Sequence, residues 1–306
     1  LAGAAANHMQ ERMASSSPVF RFAPSPNGRL HLGHAYSALA NERLAARFGG
    51  DLLLRIEDID RARCRPEFEQ GIHNDLAWLG ISFSSYVRRQ SEHVDDYRRA
   101  LDRLDAMGLV YPCFCSRQEV KDAVQRREAE TEEPWPRDPD GAPLYPGICR
   151  ALSKADAQQR IKSGDPHVLR LAMDLALTRM AGEALTCRLF DENGEEREVA
   201  VDPARWGDVV LARKDVPTSY HLSVVTDDAL QGVSHVVRGK DLEAATDIHV
   251  LLQCLLGLAT PRYHFHALLL DEDGQKLAKS RLSQSLADLR AEGATPEAIR
   301  RQLGFT

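Results

Sequence analysis

No stretch of this 306-residue sequence approaches the roughly 20 consecutive apolar residues that a bilayer-crossing helix requires, so a membrane partner is not expected. A secretion leader is missing too: the opening LAGAAANHM is small and apolar but has no basic flank. Residues 1–17 are read as a tag remnant or disordered start, with Met9 or Met13 as the native first residue. Internal repeats are absent, and so is any excess of positive charge. The 39 Lys and Arg face 45 Asp and Glu, a formal net charge of −6, which excludes a protein that coats nucleic acid by charge alone. Cysteine is scarce. Six residues without a leader do not make a disulfide framework, so Cys64, Cys113, Cys115, Cys149, Cys187 and Cys254 are expected to be reduced thiols or metal ligands in a cytoplasmic protein.

What is present is ordinary for a soluble globular chain, with 43% hydrophobic and 27% charged residues. One segment is locally basic. Between 276 and 301 the ionised residues are Lys276, Lys279, Arg281, Arg290, Arg300 and Arg301 against Asp288, Glu292 and Glu297. This tail is either a phosphate-facing patch or a set of solvated helix faces, and both readings stand.

The pattern of elements is that of an α/β protein. VFRFA at 19–23 predicts a strand, followed by the loop PSPNGRLHLG and an Ala- and Leu-rich helix over 34–48 that stops at Gly49 and Gly50. DLLLRIED, apolar and then abruptly charged, predicts a buried parallel strand whose carboxyl end opens into a site. Helices are predicted over 67–79 and from a Ser91 cap to Met107. Short connections between alternating strands and helices indicate a doubly wound sheet. From 111 to 206 the rhythm breaks into a Cys cluster, a charge-dense run and a Pro/Asp/Gly-rich loop, an inserted subdomain. It resumes with HLSVVTDDAL and HVVRGKDL, a helix over 242–258 and an apolar strand FHALLL, then a Lys-containing loop and two short helices.

Two motifs carry phosphate chemistry. HLGH, His31 to His34, lies where a strand hands over to a helix. Free N–H groups and the positive end of the helix dipole collect there, at the carboxyl edge of the sheet. His31 and His34 can donate to a polyphosphate, and Gly33 permits close approach of a ring or phosphate. KLAKS, 276–280, places Lys276 and Lys279 three residues apart on a loop, where they can offset charge building up on a phosphate. Singly, each motif also fits helix-capping histidines or solvated lysines. In this order and context they reinforce one another.

With their flanks, PSPNGRLHLGH and KLAKS resemble the two ATP signatures of class I aminoacyl-tRNA synthetases, with Ala278 where Ser is more frequent. RFAPSPNGRLHLGHA, LLLRIEDIDRAR, YHLSVVTDD and HVVRGKDL resemble the glutamyl-tRNA synthetase group in the same order. The resemblance spans about 19–283. It implies a Rossmann-like, doubly wound parallel sheet in two halves, 18–110 and 207–271. It also implies an inserted zinc-containing, acceptor-binding subdomain over 111–206 and a short helical C-terminus over 272–306. It implies a glutamate pocket of Arg21, Ala23, Ser25, Glu57, Tyr220 and Arg238, an ATP site of His31, Gly33, His34 and Lys279, and a catalytic set of His31, His34, Lys276 and Lys279.

The chemistry of those residue types agrees with an acidic substrate. Arg21 and Arg238 offer planar donor forks to a side-chain carboxylate, Glu57 can hold an α-ammonium, and Tyr220 can close one side. Glutamine would present an NH2 to donors and be rejected. The reaction so implied is attack of glutamate's α-carboxylate on the α-phosphate of ATP. Mg²⁺ accompanies the nucleotide, although no residue is identified as its ligand.

Cys113-Phe-Cys115 and Tyr145-Pro-Gly-Ile-Cys149 offer three thiols and a phenol. The spacing fits structural zinc or unliganded buried thiols. The short glutamyl-queuosine branch of the family shows the same CxC and YxxxC arrangement with Tyr as fourth ligand. Only 26 residues follow Ser280, whereas a full glutamyl-tRNA synthetase carries a helical anticodon-binding region there. The expected match is therefore the short branch, whose members activate glutamate without tRNA and esterify it to queuosine in the anticodon of tRNA(Asp). The expected assembly is a monomer. The competing expectations are a fragment of an enzyme charging tRNA(Glu), and a non-catalytic RNA-binding paralogue.

Overall fold

The computed structural model describes residues 17–84, 86–269 and 284–305. Strand β1 (Val19–Phe22) runs parallel to β2 (Asp51–Ile56), Val19 opposite Asp51 and Phe22 opposite Leu54. The helix between them, α1 (Leu32–Arg47), buries Ala35, Ala38 and Leu39 at i, i+3 and i+4 spacing, and Ala40 and Leu44 again four apart. Its small alanines let the backbone lie close against Phe20 and Phe22 in one continuous core. Each leucine so buried contributes about 1.5–3 kcal/mol. The predicted stop at Gly49-Gly50 has two separate causes. Gly49 takes a left-handed φ of 62°, and a Cβ on Gly50 would sit 2.4 Å from the Pro18 carbonyl.

Helix α2 (Pro66–Trp78) starts on a proline and leads to the short strand β3 (Arg88–Arg89), parallel to β2. Helix α3 (Val94–Ala106) follows. The expected Ser91 cap is not formed: His93 occupies that position. The Ser91 N–H and hydroxyl both go to the Asp58 carboxylate, at 2.8 and 2.6 Å. Ser91 lies inside a 3-10 turn, Gln90–Glu92, that ends at His93 and so moves the helix start past it.

On the other side of β1 lies β9 (His235–Gly239), joined through Ser234. Its N–H donates to the Val19 carbonyl at 3.0 Å and its hydroxyl accepts the Val19 N–H at 2.9 Å. β10 (Arg262–His266) pairs with β9 in parallel, Arg262 opposite His235 and His266 opposite Gly239. The ladder β1-β2-β3 and the ladder containing β9 and β10 are paired separately and meet at the Ser234–Val19 junction, growing away from it in opposite directions, the arrangement in which a doubly wound fold binds its ligands. Two helices flank this half, α7 (Tyr220–Leu230) and α8 (Thr246–Leu256). FHALLL was expected to be the last strand, but pairing ends at His266. Its partner Gly239 leads at once into a helical turn over Lys240–Leu242, and among the described residues no strand pairs with 267–269; Leu270 lies outside the described residues.

Strands β4 (Val110–Cys113), β5 (Val168–Leu171) and β8 (Val210–Arg213) form an antiparallel sheet of their own. With them go α4 (Arg117–Thr131), α5 (Lys154–Lys162) and α6 (Met173–Arg179). The hairpin of β6 (Thr186–Phe190) and β7 (Glu196–Ala200) attaches elsewhere. β6 pairs in parallel with β10, Leu189 opposite Tyr263, so segment 111–206 feeds both sheets. The two short C-terminal helices, α9 (Leu286–Ala291) and α10 (Pro296–Gln302), begin at Ser285 and Thr295 caps and bury Leu286 and Ile299 against the first core.

Candidate active site

His31 caps α1 in an extended conformation, and the cap is built from imidazoles. Its Nδ1 accepts the Gly33 N–H at 3.1 Å, while its own N–H goes to His34 Nδ1 at 3.2 Å, the rings 3.9 Å apart. Because both Nδ1 atoms are acceptors, each neutral ring carries its proton on Nε2. Burial holds both rings below the usual histidine range. His34 falls to about 3, with the neighbouring His31 as a second cause. Two neutral N–H donors thus stand at a helix N-terminus, a phosphate-binding arrangement. Gly33 makes room for a ring, but the ring is that of His31: a Cβ on Gly33 would lie 2.9 Å from its Cε1. Lys276 and Lys279 lie outside the described residues. Ser285 pairs with His31, and the Leu286 N–H reaches the Leu30 carbonyl at 2.8 Å.

The carboxyl ends of β1, β2 and β9 and the start of α7 bring Arg21, Glu57, Arg238 and Tyr220 close together. Tyr220 lies within electrostatic reach of Arg238, Glu57 and Arg21 together, and its hydroxyl accepts from Arg238 NH1 at 3.5 Å. Burial pushes the Glu57 carboxyl up to about 6, against the opposing pull of Arg55 and Arg21. Ala23 and Ser25 follow β1, half-buried, and the Ser25 hydroxyl lies 3.8 Å from Cys64 Sγ.

The two arginines are not equivalent. Arg21 is neutralised: its Nε meets Asp228 Oδ1 at 3.2 Å and its NH1 the Val237 carbonyl at 3.5 Å. Arg238, only 4% exposed, has no carboxylate partner among the described residues. Its donors go to Tyr220, His249 and Thr246, and its Nε has no acceptor. Its guanidinium lies over the rings of Tyr263 and Phe265 at 5.3 and 5.6 Å. A buried cation with neutral neighbours favours an incoming anion.

Beneath these residues lies a charged layer that the sequence reading missed. Arg55, fully buried, donates to Asp228 at 2.8 Å and Gln231 at 3.0 Å, and reaches Glu57 at 3.5 Å. Asp227, equally buried, accepts from Arg88 at 2.7 Å, Gln90 at 2.8 Å and Tyr97 at 2.9 Å. The available signals were a lone arginine in the apolar run LLLRI and paired aspartates in an apolar helix. Charges in such places are retained only with partners.

Elsewhere, Cys113, Cys115 and Cys149 converge, their Sγ atoms all within 4.8 Å of one another. A tetrahedral zinc with Zn–S near 2.3 Å places sulfurs about 3.8 Å apart, so small adjustments of these side chains would accommodate such an ion. The Tyr145 hydroxyl is 3.5 Å from Cys115 Sγ and accepts the Cys149 N–H at 2.8 Å. The Phe114 N–H donates to Cys149 Sγ at 3.3 Å, a bond that favours a thiolate. Cys64, Cys187 and Cys254 stand apart from this group as free thiols.

Comparison with known proteins places these features in company. Residues 19–306 match the family described as tRNA synthetases class I (E and Q), catalytic domain. A Glutamyl-Q tRNA(Asp) synthetase of Rhodobacter capsulatus is 47% identical over 94% of this chain and 100% of its own length. One from Symbiobacterium thermophilum is 38% identical over 93% and 85%. Among solved structures, a glutamate tRNA ligase from Elizabethkingia meningosepticum in complex with its amino acid superposes with a TM-score of 0.73 at 26% identity. The match covers 94% of this chain and 60% of that one.

Proposed function

The chain belongs to the class I tRNA synthetases of the E and Q group, whose catalytic domain it matches, and on that premise we propose that it activates L-glutamate with ATP and transfers it to queuosine in the anticodon of tRNA(Asp). The observation that carries the amino-acid assignment is Arg238, a buried guanidinium surrounded by neutral acceptors. It receives the side-chain carboxylate of glutamate. Glu57, ionised, takes the α-ammonium; Tyr220 closes the pocket, and Arg21 of β1 with Ala23 and Ser25 just after it line the floor. Support for the acceptor comes from the named relatives, the first of which aligns over its whole length.

Nucleotide binding falls to His31, Gly33 and His34, with Lys276 and Lys279 of the KLAKS motif supplying charge. The α-carboxylate oxygen attacks the α-phosphorus in line, the bond to the bridging oxygen breaks, and pyrophosphate leaves with its electron pair. The Nε2–H donors of His31 and His34 stabilise charge on the phosphate oxygens, which is where such reactions gain most. A queuosine hydroxyl then attacks the adenylate carbonyl and AMP departs, leaving an ester. ATP enters with Mg²⁺. Cys113, Cys115, Cys149 and Tyr145 would hold a structural zinc that ties the CxC turn to the 145–149 segment.

The test is glutamate-dependent ATP–pyrophosphate exchange without tRNA, followed by charging with radiolabelled glutamate. Label should appear on tRNA(Asp) that carries queuosine and on neither unmodified tRNA(Asp) nor tRNA(Glu). Label on tRNA(Glu) alone refutes the acceptor, and exchange that requires tRNA refutes the activation step.

A further inference from the structure

Arg238 is held from behind by two residues of α8. Its NH2 donates to Thr246 Oγ1 at 2.6 Å and its NH1 lies 3.1 Å from His249 Nδ1. A guanidinium has donors only, so His249 Nδ1 presents a lone pair and the ring proton sits on Nε2. That nitrogen is 3.3 Å from His221 Nδ1, which is then the acceptor. The contacts fix both tautomers and form a directed chain from Arg238 through His249 to His221 with no ionised member beyond the arginine.

We propose that His249 is a positioning and specificity-determining residue, whose neutral Nδ1 aims the Arg238 fork while leaving its charge for the substrate carboxylate. The inference rests on the reading of Arg238 given above and deepens it. An ordinary way to fix a buried arginine is with a carboxylate, as Asp228 does for Arg21. Such a partner behind Arg238 would supply the negative charge that glutamate must bring, and glutamine would then fit as well. The one carboxylate nearby on α8 is engaged in another direction. Asp247 accepts from Arg205 at 2.6 Å, Trp206 Nε1 at 3.1 Å and the Asp202 N–H at 3.2 Å. Burial, and next the Arg238 charge, hold both imidazoles below the ordinary histidine range, His221 at about 4, so the chain stays neutral at physiological pH.

Three variants of the full chain test this by ATP–pyrophosphate exchange with glutamate and with glutamine. His249→Asn can place an amide oxygen where Nδ1 stood; His249→Gln places its amide near Nε2 instead; His249→Asp adds the charge. Loss of a hydrogen bond to a charged group corresponds to about tenfold or more. His249→Gln should therefore raise the glutamate KM about tenfold, with the ATP KM and kcat close to wild type, and His249→Asn should restore most of that loss. His249→Asp should narrow the preference for glutamate over glutamine about tenfold. An unchanged glutamate KM in His249→Gln, or equal loss in the Asn and Gln variants with native melting, overturns the proposal. If His249→Asp does not fold, the Asn and Gln pair still decides. Absence of glutamate exchange in the wild type would instead refute the reading of the pocket itself.

Discussion

Arg21 reaches Asp228 across 207 positions of sequence, its Nε 3.2 Å from Oδ1, and the same oxygen takes NH1 of Arg55 at 2.8 Å. One carboxylate thus anchors an arginine of the pocket and an arginine of the layer beneath. Burial alone would raise the Asp228 pKa, but Arg55 and then Arg21 hold it below the ordinary carboxylate value. Its stabilising contribution is therefore complete at neutral pH and is lost as pH falls through that depressed value. Asp228→Asn should cost about 3 kcal/mol, the usual result of leaving buried charge without its partner. The denaturant midpoint should fall at constant slope, and glutamate activation should fall with it.

Glu57 carries the opposite sign. Its folded pKa is raised to about 6 from an ordinary 4.5, so between those values the native state binds more protons than the unfolded chain. Stability attributable to Glu57 falls as pH rises through that window and stays lower above it. Glu57→Gln should therefore be more stable than wild type at pH 8, by about 2 kcal/mol, and no more stable at pH 4. The same substitution removes the charge assigned to the substrate ammonium, so the glutamate KM should rise sharply. In wild type, glutamate binding should weaken as pH drops below about 6. A Glu57→Gln protein with unaltered KM would remove Glu57 from the pocket.

Arg238→Ala separates the two substrates. Removing the buried guanidinium should raise the glutamate KM by about a hundredfold, the scale of a charge-assisted pair, and leave the ATP KM nearly unchanged. Arg238→Lys should restore little, because an ammonium cannot reach Tyr220, Thr246 and His249 together with a carboxylate. Equal losses for both substrates in the alanine variant would contradict the assignment.

How much of this was legible in the sequence follows from the range of each interaction. Local features were readable. The Gly49-Gly50 stop, the strand-to-helix placement of HLGH and the CxC spacing depend on neighbours a few residues away, and the structure has each of them. The charged layer was not readable. Arg55 finds Asp228 at a separation of 173 residues and Arg88 finds Asp227 at 139, and periodicity carries no information on which buried charges meet. The same holds for β6, whose place in the main sheet is set by one parallel register against β10. Nothing local in the sequence singles out His249, because only the tertiary fold sets it 3.1 Å from Arg238.

At the start of α1, Gly33→Ala tests whether the imidazole cap matters for catalysis. The added methyl would press on His31 at 2.9 Å, a separation that forces the ring to move, and the Gly33 N–H would lose its acceptor. The stability cost should be that of a lost N-cap, about 1 kcal/mol. The exchange rate should fall further than that loss of stability explains, because Nε2–H of His31 leaves its place at the helix N-terminus. A rate unchanged beside a measurable drop in melting temperature would reduce His31 to a cap alone.

The cysteine cluster makes a prediction about stoichiometry rather than rate. Three sulfurs already within 4.8 Å need little movement to bind a tetrahedral ion, so purified wild-type protein should hold one zinc per chain by elemental analysis. Cys113→Ser and Cys149→Ser should lose it, because two remaining thiolates and a phenol make a poor zinc site. Tyr145→Phe discriminates further. Three thiolates and a water complete a tetrahedron, so the metal should stay at full occupancy but leave faster to a chelator. The Cys149 N–H would lose its 2.8 Å acceptor in the same variant, and the melting temperature should drop modestly even with zinc retained. A full equivalent of zinc in Cys149→Ser would reject the site, and complete loss in Tyr145→Phe would make the phenol an indispensable ligand.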